Sequence, residues 1–268
     1  MRLTKHHGLA NDFLVYVDLD GEQPNTPELA VALCDRHRGL GADGLIRIVE
    51  GRDGAALTME LRNSDGSTAE MSGNGMRCLV QAAVIADVAP GAEFDVATDG
   101  GVRRVSYRVG DRPGESWIAV DMGPTSPGDV DPSKLDHTTD HVRAATVDIG
   151  NPHLVMQVAD ARAVDPAVHG PGYEAQFAHG ANVHWVTPAA DDRLTMTIWE
   201  RGAGVTQACG TGACAAATAA HGWGVVGAHV GVDMPGGSVE VTLGDTVTLA
   251  GPAAYIGAIT VDPDWLVS

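Results

Sequence analysis

Short apolar runs rich in β-branched residues recur along the chain between clusters of Gly, Pro and Asp. FLVYV (13–17), LIRIV (45–49) and WIAVDM (117–122) are three of them. Runs of that length bounded by turn formers predict strands. Two Ala-rich segments, 76–88 and 213–223, break this rhythm, and each follows directly on a glycine-rich loop of small residues. Their composition and length predict helices. The pattern as a whole predicts a mixed α+β chain.

The same pattern contains an echo. With Asn11 set on Asn151, GLANDFLVYV (8–17) is echoed by IGNPHLVMQV (149–158), and SGNG (72–75) is matched by CGTG (209–212). Asn11 and Ser72 lie 61 positions apart, and Asn151 and Cys209 lie 58 apart. Order and spacing together predict a duplicated lobe, although a chance likeness of glycine-rich loops would explain either match alone. The stretch MGPTSPGDVDPSKLDHTTDH (122–141), rich in Pro, Asp and Ser, suits a boundary. The expected division is an N-terminal lobe at 1–122 and a C-terminal lobe at 123–268, with a short strand exchanged between them at the C-terminus as an open option.

Composition narrows the function classes. Of 268 residues, 44% are hydrophobic and only 4% aromatic, so the core must be built from aliphatic side chains packed against abundant glycine. A formal charge of −18, with Lys5 and Lys134 the only lysines, repels phosphate backbones and anionic membranes and predicts no nucleic-acid partner. An anionic substrate would need local positive features such as helix N-termini and single arginines. No apolar run has signal-peptide or membrane-span character, which points to a cytoplasmic protein without a membrane partner. The four cysteines, Cys34, Cys78, Cys209 and Cys214, lack both a disulfide framework and zinc-site spacing. They are read as reduced thiols, and no metal is expected.

Both echoing loops put a hydroxyl or thiol, then glycine, at the start of an expected helix. Unpaired N–H groups and the positive end of the dipole stabilise a carboxylate there and promote loss of a thiol proton. If the lobes face each other, Ser72 and Cys209 flank one α-carbon on opposite sides, as inversion of a stereocentre requires. The plainer alternative for Cys209 is a small core cysteine. Cys78 and Cys214 are expected inside the two helices as core residues.

Seven segments then carry a family resemblance: GLANDFLV (8–15), RHRGLGADG (36–44), RNSDGSTAEMSGNGMR (62–77), GNPHLV (150–155), GANV (180–183), ERGAG (200–204) and ACGTGACAA (208–216). In sequence and order they resemble the diaminopimelate epimerases. The resemblance implies two pseudo-symmetric lobes, each a curved, mostly antiparallel sheet wrapped around a central helix, with the active site in the cleft between them. It also implies interconversion of LL- and meso-diaminopimelate for lysine and cell-wall synthesis without pyridoxal phosphate, and a possible homodimer. By the same resemblance Cys209 is an acid/base thiol partnered by Glu200, and His153 partners the opposite position. Gly73, Asn74, Gly210 and Thr211 hold the α-carboxylate through backbone N–H groups. Asn11, Asn63, Asn151, Asn182 and Arg201 read the distal end of the amino acid. An asparagine beside glycine is otherwise a turn residue, so Asn63 and Asn182 carry that alternative too.

The sequence departs from the family at one place, since the pattern has cysteine where Ser72 stands. A hydroxyl ionises far less readily than a thiol, so Ser72 is a weak base and proton donor unless a neighbour such as His153 activates it. Epimerisation is therefore expected to be impaired. Three readings of the serine are open: a substitution made to trap the enzyme, one-base lyase or dehydratase chemistry through Cys209, or a homologue that only binds its amino acid. A broader amino-acid racemase is a further alternative.

Overall fold

The computed structural model describes residues 1–266, which group into one unit of Met1–Val120 with the chain from Gly251, and a second of Asp121–Ala250. The first unit runs β1 (Arg2–Gly8), β2 (Asn11–Val17), α1 (Pro27–Cys34), β3 (Gly44–Glu50), β4 (Leu57–Asn63), α2 (Gly73–Ile85), β5 (Glu93–Thr98), β6 (Gly101–Val109) and β7 (Glu115–Asp121). These strands are neighbours in chain order. The last strand, β16 (Val247–Thr260), follows β7 and pairs antiparallel with β1, which closes eight strands into a ring.

The second unit comprises β8 (Ser126–Pro127), β9 (Arg143–Asp148), β10 (Pro152–Gln157), α3 (Pro166–Glu174), β11 (Asn182–Ala189), β12 (Arg193–Glu200), β13 (Gly204–Val205), α4 (Gly210–Gly222), β14 (His229–Met234), β15 (Gly237–Leu243) and the first residues of β16. Its topology repeats that of the first. In each unit an antiparallel hairpin (β1–β2, β9–β10) leads through a short helix to a parallel strand (β3, β11). An antiparallel strand follows (β4, β12), and a long helix then crosses to the second parallel strand (β5, β14). Two antiparallel strands then complete each unit (β6 and β7, β15 and β16), so the sequence echo is a repeat of the whole chain path.

The long helices α2 and α4 sit against the concave side of their own sheets. Helix α2 touches β1, β2, β3, β4 and β6 and is buried from Gly73 to Ala83, while α4 touches six strands, β9 to β12, β14 and β15. In α4 the alanines of GTGACAAATAAHG make a narrow, apolar helix that sheet can surround, whereas α2 also buries Arg77 and Gln81, each held by hydrogen bonds. Cys78 and Cys214 are fully buried in these helices. Helices α1 and α3 cover the outer faces. Strand β2 is consequently buried on both sides, as are the first five residues of β11, whereas β12 and β14 alternate. Leu14, Tyr16, Leu33 and Leu45 pack in the outer core of the first unit, and Leu154, Met156, Tyr173 and Trp185 in that of the second.

Both long helices begin three residues before the expected positions 76 and 213. The glycine-rich segments are their first turns, because the side chains of Ser72 and Cys209 accept the N–H of Gly75 and Gly212 as N-caps. Glycine's poor helix propensity hides this from composition. The C-terminal ends match as well. Val88 N–H donates to Ala83 O and Asp87 N–H to Val84 O, and Val225 and Gly224 make the same pair of bonds to Ala220 and His221. Glycine occupies the left-handed position in α4 (Gly224, φ 73°), but Asp87 takes it in α2 (φ 57°).

Candidate active site

At the head of α4 the Cys209 Sγ accepts Gly212 N–H at 3.3 Å and lies 3.5 Å from Thr211 Oγ1. The carbonyl of Cys209 accepts Ala213 N–H at 2.9 Å. By position in the first turn, the N–H groups of Gly210 and Thr211 are the donors left for an anion. The thiol is buried, and its pKa is pushed well above the usual value, first by burial and then by the carboxylate of Glu200, against weaker lowering from Thr211 and Gly212. Cys209 therefore rests as a thiol, a proton donor whose conjugate base is a strong base. Glu200 ends β12, and its Oε1 accepts from Thr206 Oγ1 at 2.5 Å, which fixes the carboxylate beside the sulfur.

Ser72 occupies the corresponding position at the head of α2. Its Oγ accepts Gly75 N–H at 3.0 Å, and its carbonyl accepts Met76 N–H at 2.8 Å. Gly73 follows as the first helical residue. Asn74 donates to Asn11 Oδ1 at 3.0 Å and accepts from the buried Arg77 Nη2 at 2.8 Å. Asn11 in turn donates to Asp43 Oδ2 at 2.7 Å. Asp43 also accepts Asp12 N–H and the Arg36 guanidinium. The tight turn that delivers Asn11 places Leu9 (φ 56°) and Ala10 (φ 69°) in the left-handed region, at a cost on the order of 1–2 kcal/mol each.

In the second unit the two strands β10 and β11 pair in parallel with His153 opposite Asn182 and Val155 opposite His184, so both histidines point to the face that carries α4. His153 Nδ1 lies 2.8 Å from His184 Nε2, and His153 Nε2 lies 2.9 Å from Asn151 Oδ1. Burial lowers the pKa of both rings, that of His184 to about 3. The buried Asn182 accepts Arg201 N–H at 3.0 Å and donates to Pro152 O at 3.3 Å, tying three strand ends together. Arg201 is exposed, and its guanidinium donates to His179 O at 3.3 Å.

Within the second unit the structure thus gathers Cys209, Thr211 and Glu200 into one cluster, His153 and Asn151 into another, and Asn182 with Arg201 into a third. Within the first it joins Asn11 to Asn74 one residue from Gly73. Asn63 stands apart at the exposed end of β4, where its amide donates across the following turn to Ser67 Oγ at 3.0 Å. Sequence reasoning missed His184, Thr206, Asp43 and Arg77. His184 had one usable signal, since it lies two positions beyond Asn182 on a strand and shares its face. Among the described residues no group of three or more His, Cys, Asp or Glu is arranged to hold a metal, and no helix is long and apolar enough to cross a membrane.

A sheet wrapped around a capped helix, occurring twice in one chain, is a fold shared with solved proteins of differing names. A hydroxyproline epimerase from Agrobacterium vitis matches with a TM-score of 0.74 at 17% identity, covering 98% of this chain and 93% of that one. A PhzF-family phenazine biosynthesis protein from Bacillus anthracis matches with a TM-score of 0.71 at 14% identity, over 97% and 98% of the two chains. Those identities establish fold alone. The sequence goes further, because the profile of the family described as diaminopimelate epimerase matches residues 3–127 and 145–256. The diaminopimelate epimerase of Corynebacterium glutamicum is 39% identical over 266 residues, covering 94% of this chain and 95% of its own length. That of Gloeothece citriformis is 35% identical over 277 residues, covering 96% and 97%. The chain belongs to the diaminopimelate epimerase family.

Proposed function

We propose that this chain is an isomerase that converts LL-diaminopimelate to meso-diaminopimelate by moving the α-proton between two acid/base groups, without pyridoxal phosphate. The observation that carries this reading is the head of α4, where a buried thiol and the N–H groups of the first helical turn meet the Glu200 carboxylate brought by the end of β12. The N–H groups of Gly210 and Thr211, with those of Gly73 and Asn74, hold the α-carboxylate and stabilise charge that develops on it as the α-proton leaves. Cys209 delivers a proton to the α-carbon, or removes one when Glu200 takes up the thiol proton. The residue at position 72 performs the opposite transfer on the other face of the carbon, with His153 as its partner. Asn11, Asn63, Asn151, Asn182 and Arg201 read the distal amino acid, Arg201 through its guanidinium.

Ser72 retains the cap geometry but not the acidity of a thiol, so this chain turns over slowly as it stands. The lobes are taken as 1–122 and 123–268, with the C-terminal strand of the second exchanged into the first from Gly251, and the enzyme as a cytoplasmic homodimer acting in lysine and peptidoglycan precursor synthesis. Conversion of LL- to meso-diaminopimelate by the Ser72→Cys variant tests the reading. Substantial turnover supports it, and a folded variant that leaves the LL isomer unchanged overturns it.

A further inference from the structure

His153 has both ring nitrogens engaged, and its partners determine where its proton sits. Asn151 Oδ1 can only accept, so His153 Nε2 carries the proton in that 2.9 Å bond. Both rings are neutral at neutral pH, which leaves His153 Nδ1 as an acceptor. His184 Nε2 must then donate in the 2.8 Å bond between the rings. The consequence falls on His184 Nδ1, an acceptor buried without a hydrogen-bond partner. An orphaned buried acceptor is costly, and an apolar ring at this position would avoid it.

The His184 ring is also held in place from above. A Cβ at Gly212 would lie 2.4 Å from His184 Cε1, 2.6 Å from His184 Nε2 and 3.1 Å from Cys209 Sγ. The imidazole therefore fills the space that the missing side chain leaves under the first turn of α4, which backs the ring on that side.

We propose that His184 is a positioning residue, whose Nε2–H fixes His153 as the Nε2–H tautomer and through it turns the Asn151 amide so that its NH2 group is left to meet the substrate. The assignment rests on the reading of His153 and Asn151 as site residues. It explains why a buried histidine with an unpaired nitrogen sits on the strand beside His153, where the fold alone asks for a hydrophobic side chain.

The test pairs a spectroscopic with a kinetic readout in the Ser72→Cys background. Long-range 1H–15N spectra of protein labelled with 15N-histidine report which nitrogen of His153 is protonated. His184→Gln keeps a donor near the Nε2 position, whereas His184→Met keeps the volume without one. The expected result is a pure Nε2–H tautomer of His153 in the parent and in His184→Gln. Mixed tautomers in His184→Met should accompany a fall in kcat/KM on the order of tenfold, the loss of about one hydrogen bond. His153 remaining wholly Nε2–H in His184→Met overturns the proposal, as does a mixed tautomer with unchanged kcat/KM. Should the Ser72→Cys protein fail to turn over diaminopimelate, the functional reading falls, and the tautomer spectra still decide whether His184 holds His153.

Discussion

Replacing Ser72 by cysteine should change the rate far more than the stability. The cap at Ser72 is a 3.0 Å bond from Gly75 N–H to Oγ, and the equivalent cap at Cys209 is a 3.3 Å bond from Gly212 N–H to sulfur, so the fold already shows that a thiol serves in this turn. Removing a serine cap altogether costs about 0.5–2 kcal/mol, and exchanging it for another acceptor should cost less than about 1 kcal/mol. A well-placed acid/base group contributes ~10²–10⁴ to rate, equivalent to roughly 3–5 kcal/mol of barrier. Ser72→Cys should therefore raise kcat for LL to meso conversion by about 10²–10⁴, followed by chiral chromatography, while its urea midpoint stays near that of the parent. Ser72→Ala should lose stability through the cap and gain no activity. A folded Ser72→Cys protein no faster than the parent would refute the assignment of position 72 to proton transfer.

Two further outcomes follow from packing and burial. Gly212→Ala would force a methyl to within 2.4 Å of the His184 ring, and overpacking of that kind costs about 1–3 kcal/mol, more than the fraction of a kcal/mol that alanine returns in helix propensity. At Gly222, on the same helix, nothing lies within 4 Å of a Cβ, so Gly222→Ala should be neutral or stabilise by up to about 1 kcal/mol. Thermal melts of the pair check both signs. His6, His153 and His184 are held neutral in the folded chain, chiefly by burial, with His6 lowered to about 4 and His184 to about 3. Their folded values are depressed, so the stability they contribute is present above the unfolded value near 6.5 and drains as pH falls from there toward 4, at about 1.4 kcal/mol per pH unit for each. Urea midpoints should drop between pH 7 and pH 5, and an unchanged midpoint would contradict the burial of these rings as neutral groups.

The chain announces its site more clearly than its fold. SGNG and CGTG mark the heads of the two central helices because glycine, a capping side chain and a following alanine-rich run are all local features. The start of each helix was misplaced for an equally local reason, since glycine's weak propensity disguises a first turn that the cap holds in place. Partnerships made across the sheet left no local trace. Asn11 meets Asp43 and Asn74 only after β2, β3 and α2 assemble, and His184 meets His153 only through the parallel register of β10 and β11. Asn63 shows the reverse case, a motif residue whose side chain the structure places in the bond that its own five-residue turn requires.

In the proposed mechanism two groups, Cys209 and the residue at position 72, act on opposite faces of one α-carbon. Ser72→Cys incubated with LL-diaminopimelate in D2O, and sampled at low conversion, tests it most directly. Expected are meso product carrying solvent deuterium at the inverted centre, recovered LL substrate almost free of it, and no turnover after a further Cys209→Ala change. Deuterium entering the recovered substrate as fast as the product, or turnover that survives loss of Cys209, would contradict it.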